Sequence, residues 1–371
     1  MGRTIRAAVL ERPGTPIRIE ELELVGPGPG QVLVRIAASG VCHSDLHQAD
    51  GDWGDPGPMV LGHEGAGFVE EVGPGVEGLH VGDLVALNWY AACGACVSCR
   101  AARPWTCTGT LALDDRLPDG SRPLRRADGS EVAPMLALGT FAEAAVVGAE
   151  AAVLMPKGTT PEVAALIGCG VTTGVMSVLR AAEVPEGASV VVIGLGGVGL
   201  SVVMGAAIAG ASPIVAVDRV PEKLDHAKRF GATHGVLAGD DTAAAIREAA
   251  GGDPDFAFEA IGRIDTIEVA IDVVGNGGTV LVVGIPPSGH RASFDVGALV
   301  DRSARIVGCN YGWSIPAEDF PRLARLALEG RLPVDPLIEE RIGLEDVTEA
   351  LEALRTGRGL RRVVVPGRPP G

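Results

Sequence analysis

No stretch of this chain approaches the roughly 20 uninterrupted apolar residues that a membrane helix needs, although 47% of it is hydrophobic. The opening residues, MGRTIRAAVLERPG, lack a signal peptide's apolar core. Positive charge is in short supply: 31 Lys and Arg face 47 Asp and Glu, for a net charge of -16. That sign is opposite to what counterion release from a nucleic-acid backbone requires. Together these absences point to a soluble, cytoplasmic protein with neither a membrane nor a nucleic acid as partner.

Low-complexity tracts are missing too. The 53 glycines and 26 prolines punctuate apolar segments, as in a turn-rich globular protein. There is no fixed-period repeat. At 371 residues the chain is too long for one average domain and fits two of ordinary size. An even set of cysteines is also lacking. Of the seven, four are packed into fifteen residues, which argues for metal thiolates over disulfides.

Short strands between Gly/Pro turns fill residues 5–150, for example 17–20 and 32–36, so this part reads as a mostly β unit. After about Val171 the texture changes. Apolar runs at 190–193, 214–217, 236–237, 256–258, 279–283 and 306–307 alternate with helical patterns, which predicts a parallel, doubly wound sheet. From Asn310 onward there is too little apolar surface for an independent core: a helical segment at 320–328, another at 351–354 and a closing strand at 362–365. This last part is expected to pack back on the first. The resulting division is 1–171, 172–309 and 310–371. The stretch 114–131, rich in Asp, Arg, Pro and Gly, reads as a long exposed loop.

The run Val190–Ile193 leads directly into Gly194-Leu195-Gly196-Gly197-Val198-Gly199, and a helical pattern follows. This is the strand–turn–helix setting that a dinucleotide fingerprint needs. Gly194 makes the tight turn, Gly196 lets the backbone approach a pyrophosphate, and Gly199 lets helix and strand pack closely. Asp218 ends the next strand, 24 residues after Gly194. A carboxylate there accepts ribose hydroxyls and repels a 2′-phosphate, which favours NAD over NADP, with Arg219 next door pulling the other way.

Cys93-x2-Cys96-x2-Cys99-x7-Cys107 suits a closed tetrahedral zinc site that folds a small lobe at about 90–110. Cys42, His63 and Cys169 would make a three-ligand zinc site with an open fourth position, although nothing local says that they meet. A lone Cys or His is equally at home in a core.

These blocks, in order and spacing over nearly the whole chain, resemble the zinc-dependent alcohol dehydrogenases of the medium-chain dehydrogenase/reductase superfamily. The stretch Gly62-His63-Glu64 through Gly67 and Gly73 to Val76 resembles that family's zinc signature. The resemblance implies a GroES-like, mostly β domain joined to an α/β Rossmann domain, with NAD and two zinc ions per subunit. It makes Cys42, His63 and Cys169 the catalytic zinc ligands, and Cys93, Cys96, Cys99 and Cys107 the structural ones. It makes Asp45 the acceptor that orients His63, and Glu64 a carboxylate near the metal. Ser44 and His47 match a proton relay. His43 and Arg361 match pyrophosphate neighbours, Gly197 and Val198 the rest of the phosphate turn, and Lys223 a ribose contact. Trp53, Trp89 and Ile285 would line a pocket for an apolar primary or aromatic alcohol or its aldehyde, though both indoles also read as core.

Asn88-Trp89-Tyr90 and Gly312-Trp313 are similar to members that oxidise formaldehyde adducts of a thiol. Arg116, Arg122, Arg125 and Arg126 could meet such an anionic conjugate, or simply face solvent. The same blocks also suit a polyol dehydrogenase, or a nucleotide-binding relative without catalytic activity. The long segment between Cys107 and Gly139 resembles dimeric members, so a homodimer is expected, or failing that a homotetramer.

Overall fold

Runs of valine and isoleucine too short to be helices build the second half of the molecule around a six-stranded, all-parallel sheet. The computed structural model describes residues 2–357 and 359–368. The sheet order is His234–Leu237, Ile214–Asp218, Val190–Ile193, Phe256–Glu259, Thr279–Val282, Arg305–Gly308. Its four inner strands are buried on both faces, whereas the edge strands His234–Leu237 and Arg305–Gly308 are largely exposed. Val190 and Val192 enter one core with Leu200 and Val203. Val191 and Ile193 enter the other with Ile246 and Ile271. Numbered along the chain the order is 3-2-1-4-5-6, which reverses direction beside Val190–Ile193 and opens a crevice at the carboxyl ends of the strands there.

The first half folds as two β-structures. A closed five-stranded barrel contains Arg3–Leu10, Arg18–Leu24, Leu124–Arg125, Glu131–Pro134 and Met59–Val60. A seven-stranded sheet is centred on Gln31–Gly40, with Glu64–Val72 and Ala144–Gly148 paired to it. The chain end returns to that sheet: Arg361–Val364 lies antiparallel to Gln31–Gly40 and parallel to Ile338–Ile342.

The stretch 114–131 differs from the exposed loop expected. Leu117 and Leu124 are buried in the barrel core, and residues 124–125 supply one of its strands. Polar residues dominate the segment by number, but these two leucines fix it.

The helix Pro161–Ala182 is long and apolar enough to cross a membrane, and 89% of its apolar window is buried inside the molecule. It is a core helix. Thr160 caps its start by accepting from the Val163 amide. Residue 171 lies inside this helix, so the helix carries the chain from the first sheet toward the second without a linker. The helix widens into π turns at Ile167–Val171 and Ser177–Ala182, and the first of these turns holds Cys169.

Candidate active site and metal centres

Cys42 immediately precedes the helix His43–Asp50, and Asp45 in its first turn is completely buried. The Asp45 carboxylate accepts from the Cys42 amide at 2.9 Å, the Gly62 amide at 3.1 Å and His63 Nδ1 at 3.1 Å. A carboxylate only accepts, so Nδ1 carries the proton and Nε2 is left with a free lone pair. Nε2 is buried and has no partner. One donor atom each from Cys42, His63, Glu64 and Cys169 lies within 4.8 Å of the others. Two sulfurs and an imidazole nitrogen are the donors zinc prefers, and an orphaned buried nitrogen among them is what a missing ligand bond leaves behind. The residues therefore fit a zinc ion. A hydrogen bond from Cys169 holds the Cys42 thiol well below its ordinary range.

Glu64 has a carboxylate oxygen near this trio but is engaged by other partners. Its carboxylate pairs with the buried Arg361 guanidinium and accepts from the Gly170 amide at 3.3 Å. Burial raises its pKa even against Arg361. Arg361 thus joins the metal centre to the glycine turn, because a Cβ on Gly197 would overlap its Nη1. Gly168 and Gly170 let the Cys169 turn pack tightly: a Cβ on Gly168 would lie 2.9 Å from the Leu87 carbonyl oxygen, and one on Gly170 3.1 Å from Arg361 Nη1.

In the four-cysteine lobe Cys96 Sγ lies 3.5 Å from Cys99 Sγ and 3.8 Å from Cys107 Sγ. Sulfurs placed tetrahedrally at about 2.3 Å from zinc are about 3.8 Å apart, so these four fit a second ion. Amides of Cys99 and Thr108 aimed at Cys96 lower its thiol to about 5, which favours the thiolate that a metal needs.

The glycine turn leads into the helix Gly197–Ala209. Gly194 has φ +95°, and a Cβ on Gly199 would overlap the Gly194 carbonyl oxygen, whereas a Cβ on Gly196 would meet no protein atom. The free space at Gly196 opens onto the crevice. Asp218 accepts from the Leu195 and Val220 amides at 2.9 and 3.0 Å, and Lys223 Nζ lies 3.8 Å from it. The carboxylate therefore shapes the turn as well as facing the crevice.

One cleft of about 1430 Å³ runs from Asp218 and Lys223 past Gly194, Gly196, Gly197 and Val198 to Cys42, His63 and Cys169. His43, Ser44, His47 and Arg361 line it, as do Trp53, Trp89 and Ile285. Asp45, Glu64 and Gly199 stand behind its wall. Ser44 Oγ is 3.9 Å from the Cys42 sulfur.

Sequence reasoning passed over several wall residues: Met135, Leu136, Asp115 and Tyr311. Tyr311 packs on Trp89 with ring centroids 4.5 Å apart and donates to the Gly168 carbonyl. Nothing in its spacing signalled this, because Tyr311 has φ +54° in an irregular turn. The four loop arginines do not line the cleft. Arg116 and Arg122 donate to the carbonyls of Gly120 and Asp114, while Arg125 pairs with Glu131 and Arg126 with Glu11 and Glu20. Beside Met135 and Leu136 the cleft is lined instead by Asp115, which accepts from the Leu136 amide at 2.8 Å and whose carboxyl burial pushes up to about 6.

A dinucleotide crevice running into an open Cys/His/Cys metal site defines a metal-dependent dehydrogenase. Residues 28–157 match the alcohol dehydrogenase GroES-like domain family and residues 197–329 the zinc-binding dehydrogenase family. An NDMA-dependent alcohol dehydrogenase of Amycolatopsis methanolica is 39% identical, covering 97% of this chain and 98% of that one. The structure of an alcohol dehydrogenase zinc-binding domain protein from Burkholderia ambifaria superimposes with a TM-score of 0.94 at 38% identity, covering 99% of this chain and 100% of that one. Benzyl alcohol dehydrogenase of Acinetobacter calcoaceticus does so with a TM-score of 0.90 at 33% identity over 98% and 100%. The chain belongs to the zinc-dependent alcohol dehydrogenase family of the medium-chain dehydrogenase/reductase superfamily. It is a zinc-dependent alcohol oxidoreductase, with a GroES-like and a Rossmann-type domain, that works with a nicotinamide cofactor on a small molecule.

Proposed function

We propose that this enzyme reversibly oxidises an apolar primary or aromatic alcohol to its aldehyde, with NAD as hydride acceptor and two zinc ions per subunit. The observation that carries the reading is the unpartnered Nε2 of His63, buried beside two thiols at the floor of a cleft that also contains the glycine turn. Cys42, His63 and Cys169 would hold the catalytic ion, and Cys93, Cys96, Cys99 and Cys107 the structural one. When bound, the zinc supplies a Lewis acid for the alcohol oxygen and the nicotinamide a hydride acceptor.

The chain's own residues do the remaining work. Asp45 fixes the His63 ring, Ser44 takes up the alcohol proton, and His47 passes it toward solvent. Trp53, Trp89 and Tyr311 supply a wall with large apolar faces that excludes water. The Asp218 carboxylate suits a ribose diol, which supports NAD. An apolar wall bearing Asp115, with the loop arginines bound elsewhere, supports a neutral alcohol over an anionic thiol adduct.

The domains of this reading are 1–171, 172–309 and 310–371. The strand Arg305–Gly308 ends the parallel sheet, with Ile306 and the nearby Val296 and Val300 exposed. Such an edge supports pairing with a second copy, so the enzyme is read as a homodimer. Light scattering of wild type and Val300→Asp tests this, and a monomeric wild type overturns it.

The functional test is zinc per subunit by elemental analysis, then alcohol turnover with NAD, NADP and NDMA in separate arms, with and without thiols. Two zincs and NAD-linked oxidation of benzylic or primary alcohols support the reading. Turnover that needs a thiol, or one zinc and no turnover, overturns it.

A further inference from the structure

We propose that Asp52 is a positioning residue for His47, holding the imidazole in the tautomer whose Nε2 accepts a proton from the cleft. The inference rests on the relay role given to His47 above, and the geometry that carries it is local. The helix His43–Asp50 ends at Gly51 with φ +83°, which turns the chain back so that the Asp52 amide donates to the His47 carbonyl at 3.0 Å. The same turn brings Asp52 Oδ2 to 2.6 Å from His47 Nδ1. Trp53 then leans on the ring, with centroids 5.2 Å apart and planes 31° apart. The imidazole is thus held at one edge and backed on one face.

A neutral imidazole has one N–H, and an ionised carboxylate accepts without donating. The 2.6 Å contact therefore places the hydrogen on Nδ1 and leaves Nε2 as the acceptor. A free histidine side chain prefers the opposite arrangement, so a population of Nδ1–H has to be imposed. When Nε2 takes a proton, the ring becomes an imidazolium that keeps its hydrogen bond to Asp52. The proton then leaves from Nε2 to solvent. The logic is that of a base oriented by a buried acid in other enzymes, except that both side chains here remain partly in water, 24% and 32% exposed.

Other charged groups around the ring are few. His43 begins the same helix. Asp50 is neutralised by Arg355 from the helix Val347–Arg355 packed alongside, and Asp55 lies further along the same cleft wall. Asp52 is the carboxylate that touches the ring.

Selective 15N-histidine labelling tests the proposal on the purified zinc enzyme without cofactor, with the His47 signal assigned by its loss in His47→Gln. Wild type should show Nδ1–H at alkaline pH, Asp52→Ala should shift to Nε2–H, and Asp52→Glu should restore Nδ1–H. With alcohol and NAD, Asp52→Ala should lower kcat about 10-fold at pH 7 with KM little changed. The deficit should shrink toward pH 9, and Asp52→Glu should recover most of it. Nε2–H in wild type, or a tautomer indifferent to Asp52→Ala, overturns the proposal. So does a tautomer that moves while the pH–rate profile does not. If no alcohol is turned over, the functional reading falls, and the tautomer still decides whether Asp52 positions His47.

Discussion

Trp313 stacks on Trp105 with ring centroids 5.7 Å apart and planes 8° from parallel. The stack joins the four-cysteine lobe to the irregular turn Asn310–Trp313. Two residues earlier in that turn Tyr311 touches Trp89 and donates to Gly168, next to Cys169. The lobe is therefore mechanically continuous with the cleft wall at Trp89 and with the turn that holds Cys169.

Replacing Trp105 by alanine removes one face of that stack, a contact worth roughly 0.5–1.5 kcal/mol beyond its buried area. Thermal unfolding should report a loss of that order. KM for the alcohol should also rise several-fold while zinc content stays at the wild-type value, because the turn that carries Tyr311 loses its anchor at Trp313. An unchanged KM would mean that the sulfurs alone hold the lobe in place.

Two neighbouring glycines should behave differently. At Gly199 an alanine Cβ overlaps the Gly194 carbonyl, a backbone atom that cannot swing aside. Gly199→Ala should cost about 1–3 kcal/mol of stability as an overpacked core position. At Gly196 a Cβ meets only empty space, so Gly196→Ala should fold normally and bind NADH at least about 10-fold more weakly. Melting curves paired with a fluorescence titration separate the two effects. If Gly196→Ala binds NADH as wild type does, the phosphate does not sit there.

How much of this is readable from sequence follows from whether the signal is local. The strand Val190–Ile193, the glycine turn and Asp218 lie in one continuous stretch whose spacing is set by a single strand–turn–helix unit, and the four-cysteine lobe is likewise contained in one loop. By contrast, Cys42, His63 and Cys169 meet through the pairing of Glu64–Val72 with Gln31–Gly40 and through the packing of a π turn. No local pattern encodes that meeting, and a family resemblance is needed to suggest it. Asp52, Asp115 and Tyr311 escape notice because each acts from a residue with positive φ or from the turn just after one. Leu117 and Leu124 are hidden by the polar residues around them.

Asp218 carries two duties that a substitution can partly separate. Asparagine keeps an acceptor for one of the two turn amides, Leu195 on Oδ2 or Val220 on Oδ1, and removes the charge that, on the proposed NAD reading, repels a 2′-phosphate. With Arg219 alongside, the ratio of kcat/KM for NADP to that for NAD should rise about 10–100-fold in Asp218→Asn, the scale of one charge-assisted hydrogen bond. Initial rates with both cofactors measure it. A ratio that does not move would place the ribose elsewhere.

Asp115 makes the stability of the fold depend on pH. Burial raises its carboxyl from 3.8 to about 6 in the folded state, so its favourable share of stability is full below about pH 4 and is lost as pH rises to about 6. Above that the folded protein carries a half-buried charge. Asp115→Asn keeps the acceptor for the Leu136 amide and tolerates the local φ of +56°. After allowance for its contact with solvent, the variant should be more stable than wild type by about 1–2 kcal/mol at pH 7.5 and equal to it at pH 4. Urea unfolding at the two pH values checks this. The same variant should oxidise 4-(hydroxymethyl)benzoate relatively better than benzyl alcohol, because the wall no longer repels the carboxylate. A variant less stable than wild type at pH 7.5, or with the same preference for the neutral alcohol, would mean that Asp115 is ionised without cost and plays no part in choosing the substrate.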